Sequence, residues 1–173
     1  MPASPDDLLA YLDRLGLKHS TVTHPPLFTV EQSQALRGQI PGGHTKNLFL
    51  KDKKDALFLV VALEDAKLDL KGLHRHLGAS GRFSFGSADL LQEVLGVPPG
   101  AVTPFGALND TQGRVNIVLD AGMMRHKILN YHPLVNTRTT SIAAADLIKF
   151  LEATGHTPRI LSLADRPAAS LGH

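Results

Sequence analysis

The stretch from Gly42 to Leu50, GGHTKNLFL, places one cation, Lys46, directly after a glycine pair and at the start of an apolar, β-rich run. Two glycines let backbone approach a ligand closely, because no Cβ intrudes. A lysine carried on a strand is held more firmly than one on a loop, and its ammonium can neutralise a phosphate or a developing alkoxide. A solvent-facing lysine at a loop-to-strand junction accounts for the same residues, so the rest of the chain has to decide. Two further features point the same way. Gly96 to Asp110, GVPPGAVTPFGALND, is dense in Gly and Pro and therefore stiff. Backbone N–H groups on such a loop can hold a carbonyl oxygen and stabilise the oxyanion that hydrolysis creates. His24-Pro25 and His132-Pro133 set two imidazoles beside rigid turns, and His132 can be a general base or simply shape a strand end. Taken singly, each of these features is explained as well by a structural turn.

Other chemistries find less support. Nine histidines invite a metal, but there is no HExxH, and His74 and His76 lie two apart on an expected helix, where they point away from each other. The absence of cysteine removes disulfides, thiolate zinc sites and a cysteine nucleophile. No GxSxG elbow, GxGxxG or GxxxxGK[ST] occurs, so neither a hydrolase serine nor a nucleotide loop is indicated. No metal and no cofactor are expected.

The elements that must position these residues can be read from periodicity and caps. Ser4-Pro5-Asp6-Asp7 predicts a helix start, and Leu8, Leu12 and Leu15 carry it over residues 5–15 to Gly16. HSTVTHPPLF predicts a short strand that stops at Pro25-Pro26. Thr29 with Gln32 fits a capping box opening a second helix that ends near Gly38. Asn47–Leu50 and Ala56–Leu63 predict a hairpin across the turn KDKKD, the second arm being a nearly continuous buried run. Helices are expected from Asp69 to Leu77, with Leu70, Leu73, His74 and Leu77 on one face, and after Ser87, carrying Leu90, Leu91, Val94 and Leu95. Arg82–Phe85, Val115–Leu119 and Ile128 onward read as strands, and Ser141 is expected to cap a last helix carrying Ala144, Leu147, Ile148 and Leu151. Helices and strands interleave around a hairpin, which predicts an α/β (mixed α+β) domain with a mixed sheet.

At 173 residues, with 43% hydrophobic and 20% charged residues, the chain suits one globular domain over 1–163, with 164–173 expected to be a disordered tail. A net charge of +2 permits a polyanionic partner without requiring one. An acidic N-terminus, MPASPDDLL, and the lack of a long apolar run make a cytoplasmic protein, with no membrane partner, the expectation.

Three separated segments carry a family resemblance: TKNLFLKDKKDALFLVVAL (45–63), LGVPPGAVTPFGALND (95–110) and HPLVNTRTTSIAAADLIKFLEATGHTP (132–158). In this order they resemble the YbaK/prolyl-tRNA-synthetase-associated family, and within it the freestanding prolyl-tRNA editing branch, over roughly residues 4–160. The resemblance implies a compact α/β domain around a mixed, partly closed sheet surrounded by helices. It implies a trans-editing deacylase that hydrolyses alanine mischarged onto tRNA(Pro). The family's essential lysine falls on Lys46, its GxxxP loop on Gly100 to Pro104, and its His-Pro on His132-Pro133. Thr45, Asn47, Phe105, Gly106, Ala107 and Asn109 match the substrate pocket by position, and His24-Pro25 its rim. Implied partners are the acceptor end of mischarged tRNA(Pro) and prolyl-tRNA synthetase, with no DNA.

A pocket that holds proline excludes a smaller side chain by only ~1–3 kcal/mol, which a second sieve corrects. The expectation is a small apolar pocket between the 100–107 loop and the first hairpin, with water activated by a ribose hydroxyl or by His132. A binding module of the same fold, without catalysis, is the alternative, and an esterase indifferent to tRNA is a third possibility. Lys51, Lys53, Lys54, Lys71 and Arg75 can meet phosphates in any tRNA-binding reading, or simply face solvent.

Overall fold

A computed structural model describes residues 2–26 and 40–163. The second helix expected at residues 29–38 and the tail at 164–173 lie outside the described residues.

Helix α1 (Pro5–Arg14) begins where its cap places it: the Ser4 hydroxyl accepts from the Asp7 amide at 3.0 Å, and the Asp7 carboxylate accepts from the Ser4 amide at 2.9 Å. Leu8 and Leu12 enter the core, whereas Leu15, expected to join them, is the C-cap and exposed. Strands β1 (His19–Thr23), β2 (Gly43–Lys51) and β3 (Leu57–Leu63) follow, the last two forming the predicted hairpin with register Thr45↔Leu63 to Lys51↔Leu57. β3 is apolar on both faces because both are covered: Leu57, Leu59 and Val61 join the larger core cluster, Phe58 and Val60 a smaller one on the opposite face.

Helix α2 spans only Leu73–Leu77, not the Asp69–Leu77 expected, and Leu70 is exposed. Gly72 lies at its N-cap, and a helix continued through that glycine would lose about 1 kcal/mol relative to alanine. Strand β4 shortens to Ser84–Phe85 and pairs with the end of β2, and α3 (Ala88–Leu95) begins at the predicted Ser87 cap. Residues 96–110, expected to be an open loop, wind into two 3-10 turns, Pro99–Ala101 and Pro104–Asn109. β5 (Val115–Asp120), β6 (Ile128–Tyr131), β7 (Arg138–Ala143), α4 (Ala144–Ala153) and β8 (Arg159–Leu161) complete the chain. Ser141 does not cap α4. The β6–β7 ladder runs through Ile128↔Ala143 and claims Ser141 for the sheet, and α4 starts at Ala143 with no side-chain cap.

The eight strands form one mixed sheet in the order β1-β7-β6-β2-β3-β5-β8, with β4 on β2. β2–β6, β3–β5 and β5–β8 are parallel and the other pairs antiparallel. The larger core lies on one side, with Phe105 edge-on to Tyr131 at 5.8 Å and to Phe150 at 5.4 Å. Among the described residues no helix is long and apolar enough to cross a membrane.

Candidate active site at the β2–β6 fork

Strand β2 meets β6 in only two register pairs, Gly43↔Leu129 and His44↔Asn130, and the two strands then part. Parallel strands that separate leave a crevice beyond the point of divergence, the place where open sheets hold ligands. Lys46 lies two residues past the last pair on β2 and His132 two residues past it on β6, so the two residues singled out as catalytic follow the point of divergence, one on each strand.

The ties at the fork are made by side chains. The Thr45 hydroxyl donates to the Asn130 carbonyl at 2.7 Å. The Asn130 amide donates to Pro41 O at 3.1 Å and Gly43 O at 3.2 Å, and its oxygen accepts from the Ser141 hydroxyl. Gly42 has φ +102°, and a Cβ there would come 2.9 Å from Ile128 O, so the turn into β2 needs glycine.

Because strand side chains alternate, Lys46 and Asn47 leave β2 on opposite faces. Lys46 shares its face with Leu48 and Leu50, and its ammonium donates to the Ala66 carbonyl. Asn47 shares the other face with Phe49, on the larger core's side. Its side-chain oxygen is buried and has no hydrogen-bond partner among the described residues. A buried acceptor without a donor costs about 1–3 kcal/mol, a debt that a donor on a ligand would cancel.

On the β6 side, His132 Nδ1 donates to Arg138 O at 3.1 Å, which leaves Nε2 as the lone-pair nitrogen of the neutral ring. Burial holds the His132 pKa below its ordinary value; the Arg138 carbonyl opposes that shift and the nearby His24 adds to it. His24 reaches the same turn: its Nε2 pairs with the Thr139 hydroxyl at 2.8 Å, its Nδ1 donates to Pro25 O at 2.8 Å, and its amide donates to Thr137 O at 2.8 Å. Within this turn Leu134 adopts φ +68°, a left-handed conformation costly for leucine, and is buried. A Cβ on Gly100 would sit 3.2 Å from the Asn136 amide nitrogen, so the GxxxP stretch packs against the turn that follows His132.

The structure thus gathers Lys46, Thr45 and Asn47 on β2 with His132, His24-Pro25 and the Gly100 stretch around the fork. It does not bring the other predicted pocket residues there as lining. Phe105 and Ala107 are fully in the core, and Gly106 lies against α3, where a Cβ would meet Leu95 Cβ at 2.9 Å. Asn109 spends its amide on Leu95 O at 2.9 Å and its oxygen on the Ala3 amide at 2.8 Å, closing the end of α3. Pro104 is buried at the head of the second 3-10 turn. Their apolar character and tight turns serve packing in the larger core. The amides of Ala101, Phe105 and Gly106 bond within the stretch, to Pro98 O, Thr103 Oγ1 and Thr103 O. Those of Gly100, Val102 and Thr103 have no bond among the described residues. No group of three His, Asp or Glu side chains arranged for a metal occurs among the described residues.

Asn130, Ser141 and Thr139 escaped the sequence reading. The one signal for Asn130 was an amide in an otherwise apolar strand, a setting that disfavours Asn unless its polar atoms are satisfied.

Comparison with known proteins identifies the family and the fold. The family model described as an aminoacyl-tRNA editing domain matches residues 24–150. The chain is 42% identical over 158 residues to prolyl-tRNA synthetase associated domain-containing protein 1 of Danio rerio, covering 90% of this chain and 85% of that protein. It is 36% identical over 157 residues to the prolyl-tRNA editing protein ProX of Acetoanaerobium sticklandii, covering 90% and 95%. A solved structure described as a candidate trans-editing enzyme for prolyl-tRNA synthetase superposes with TM-score 0.69 at 19% identity, covering 96% of this chain and all of that one, a likeness of fold.

Proposed function

This chain belongs to the aminoacyl-tRNA editing domain family, and on that premise we propose that it is a trans-acting deacylase that hydrolyses alanine mischarged onto tRNA(Pro). The observation that supports the reading is the fork: Lys46 and His132 each lie two residues past the last β2–β6 pair, and the next residue of β2, Asn47, carries an unpartnered oxygen on the strand's other face.

An aminoacyl ester brings one strong donor, its α-ammonium, which suits the Asn47 acceptor. The free amides among Gly100, Val102 and Thr103 orient the ester carbonyl and stabilise the oxyanion. Lys46 exchanges the Ala66 carbonyl for the phosphate of the terminal adenosine or for the developing charge. Water adds to the carbonyl carbon, giving its proton to His132 Nε2 or to the neighbouring ribose hydroxyl. The ester C–O bond breaks, the ribose oxygen is protonated, and alanine and tRNA(Pro) leave. No metal takes part in these steps.

One observation favours a second reading, a tRNA- or synthetase-binding module without turnover: the Lys46 ammonium already has a partner inside the protein. A multiple-turnover assay on tRNA(Pro) charged with alanine, cysteine, serine or proline separates the two. The deacylase releases many alanines per protein, spares proline and works equally in EDTA. A binding module shifts tRNA in a gel and releases nothing beyond background.

A further inference from the structure

Asn130 is 3% exposed, lies in the last register pair before β2 and β6 part, and stands two residues before His132 on the same chain. Each of its polar groups is committed, and each commitment fastens one strand of the fork to something else. The side-chain nitrogen holds two carbonyls of the Pro41–Gly43 turn from which β2 and Lys46 emerge. The side-chain oxygen takes the Ser141 hydroxyl from β7, which fixes the orientation of the amide. The main-chain oxygen takes the Thr45 hydroxyl, one residue before Lys46.

Beyond the 43–44 and 129–130 pairs no ladder joins these strands among the described residues. The spacing between the Lys46 side of the fork and its His132 side therefore depends on these polar ties. An apolar residue of similar size would fill the space and take the amide donors from the buried Gly43 carbonyl and the Pro41 carbonyl, and the acceptor from the Ser141 hydroxyl. The geometry points to Asn130 as a positioning residue for the deacylation site: it pins the mouth of the fork and thereby sets Lys46 and His132 at the separation the reaction uses. This rests on the deacylase reading. Asn130 touches no reacting atom; it acts through Thr45, the 41–43 turn and the strand that leads to His132.

The test compares Asn130→Ala, Asn130→Asp and Ser141→Ala with Leu147→Ala, a truncation in the buried face of α4 that lowers stability without touching the fork. Steady-state deacylation of Ala-tRNA(Pro) gives kcat and KM for each variant, and an NMR titration follows the His132 ring. Misplacing a reacting group by an ångström can cost about 100-fold. Asn130→Ala and Asn130→Asp, which both remove the two donors, are expected to lower kcat on that scale with KM little changed. Ser141→Ala, which only frees the amide to rotate, is expected to lose less, and Leu147→Ala to keep its rate below its own melting temperature. In the Asn130 variants the His132 titration should move toward that of an ordinary histidine as the fork admits water. Wild-type kcat together with an unmoved His132 titration in Asn130→Ala overturns the inference. So does a loss of rate in Leu147→Ala equal to that in Asn130→Ala at matched stability. If the wild-type protein releases no alanine, the deacylase reading fails, and the His132 titration still decides whether Asn130 sets the fork.

Discussion

The two ends of strand β2 are built in opposite ways. At the Lys51 end the strand is paired on both sides, with Leu57 of β3 and Ser84 of β4, and the turn beyond it closes on one carboxylate. Asp52 accepts from the amides of Lys54 and Ala56 at 2.9 Å and of Ser80 at 3.0 Å. At the Gly43 end β6 leaves after two pairs, and hydroxyl and amide side chains take over from the ladder. A ladder is self-sufficient and leaves nothing over for a ligand. The end held by side chains carries an unpaired acceptor on Asn47 and a half-buried imidazole on His132. One strand thus supplies both a rigid anchor and an opening for chemistry.

Substitutions at the two ends should therefore fail in different ways. The largest effect is expected from Lys46→Ala: deacylation falls by about 10²–10³-fold, the scale for losing one transition-state contact, while the melting temperature stays near wild type. Kinetics beside calorimetry check this, and a near-wild-type rate would move the chemistry away from the fork.

Asp52→Ala should show the reverse, losing about 1–3 kcal/mol as backbone donors go unpaired and keeping kcat, as urea titration and the same assay will tell. Its pH behaviour follows from the backbone donors, first that of Ser80, which hold the Asp52 pKa below 3.8. A carboxylate whose folded value is lowered contributes stability that is fully present above the unfolded value and lost as pH falls through the folded one. Wild-type protein should lose that contribution progressively as pH falls through and below the ordinary carboxylate range, and Asp52→Asn should lack it.

The smallest effect is a pH limb. Burial holds His132 below 6.5, so its ring is neutral at pH 7, and protonation is disfavoured in the folded state. Where His132 is the base, kcat should fall on the acid side, with the limb centred below the ordinary histidine value of 6.5. A limb centred above 6.5 would assign the base elsewhere, and no limb at all would favour the ribose hydroxyl.

The anchored end was legible in the sequence because its signals are local: alternation, a charged turn and a continuous apolar arm predict the hairpin, as Ser4 and Asp7 predict α1. The fork was only half legible. Lys46, Asn47 and His132 stand out by type and by family resemblance, but the neighbourhood of their strands depends on a two-pair parallel contact between segments 86 positions apart, which no local pattern encodes. The same long-range pairing explains the misplaced cap, since Ser141 looks like an N-cap until β6 recruits it. Phe105, Gly106 and Ala107 show the converse. Their motif suggests a pocket, but whether a side chain faces a pocket or the core is decided by Tyr131, Phe150 and Leu95.

The most direct test is an NMR titration with a non-hydrolysable alanyl-adenosine, in which an amide replaces the 3′ ester, read at both ends of β2. The account predicts saturable shifts at Thr45, Lys46, Asn47, His24 and His132, with Leu50 to Ala56 unmoved. Shifts centred on the Asp52 turn with a silent fork would contradict it.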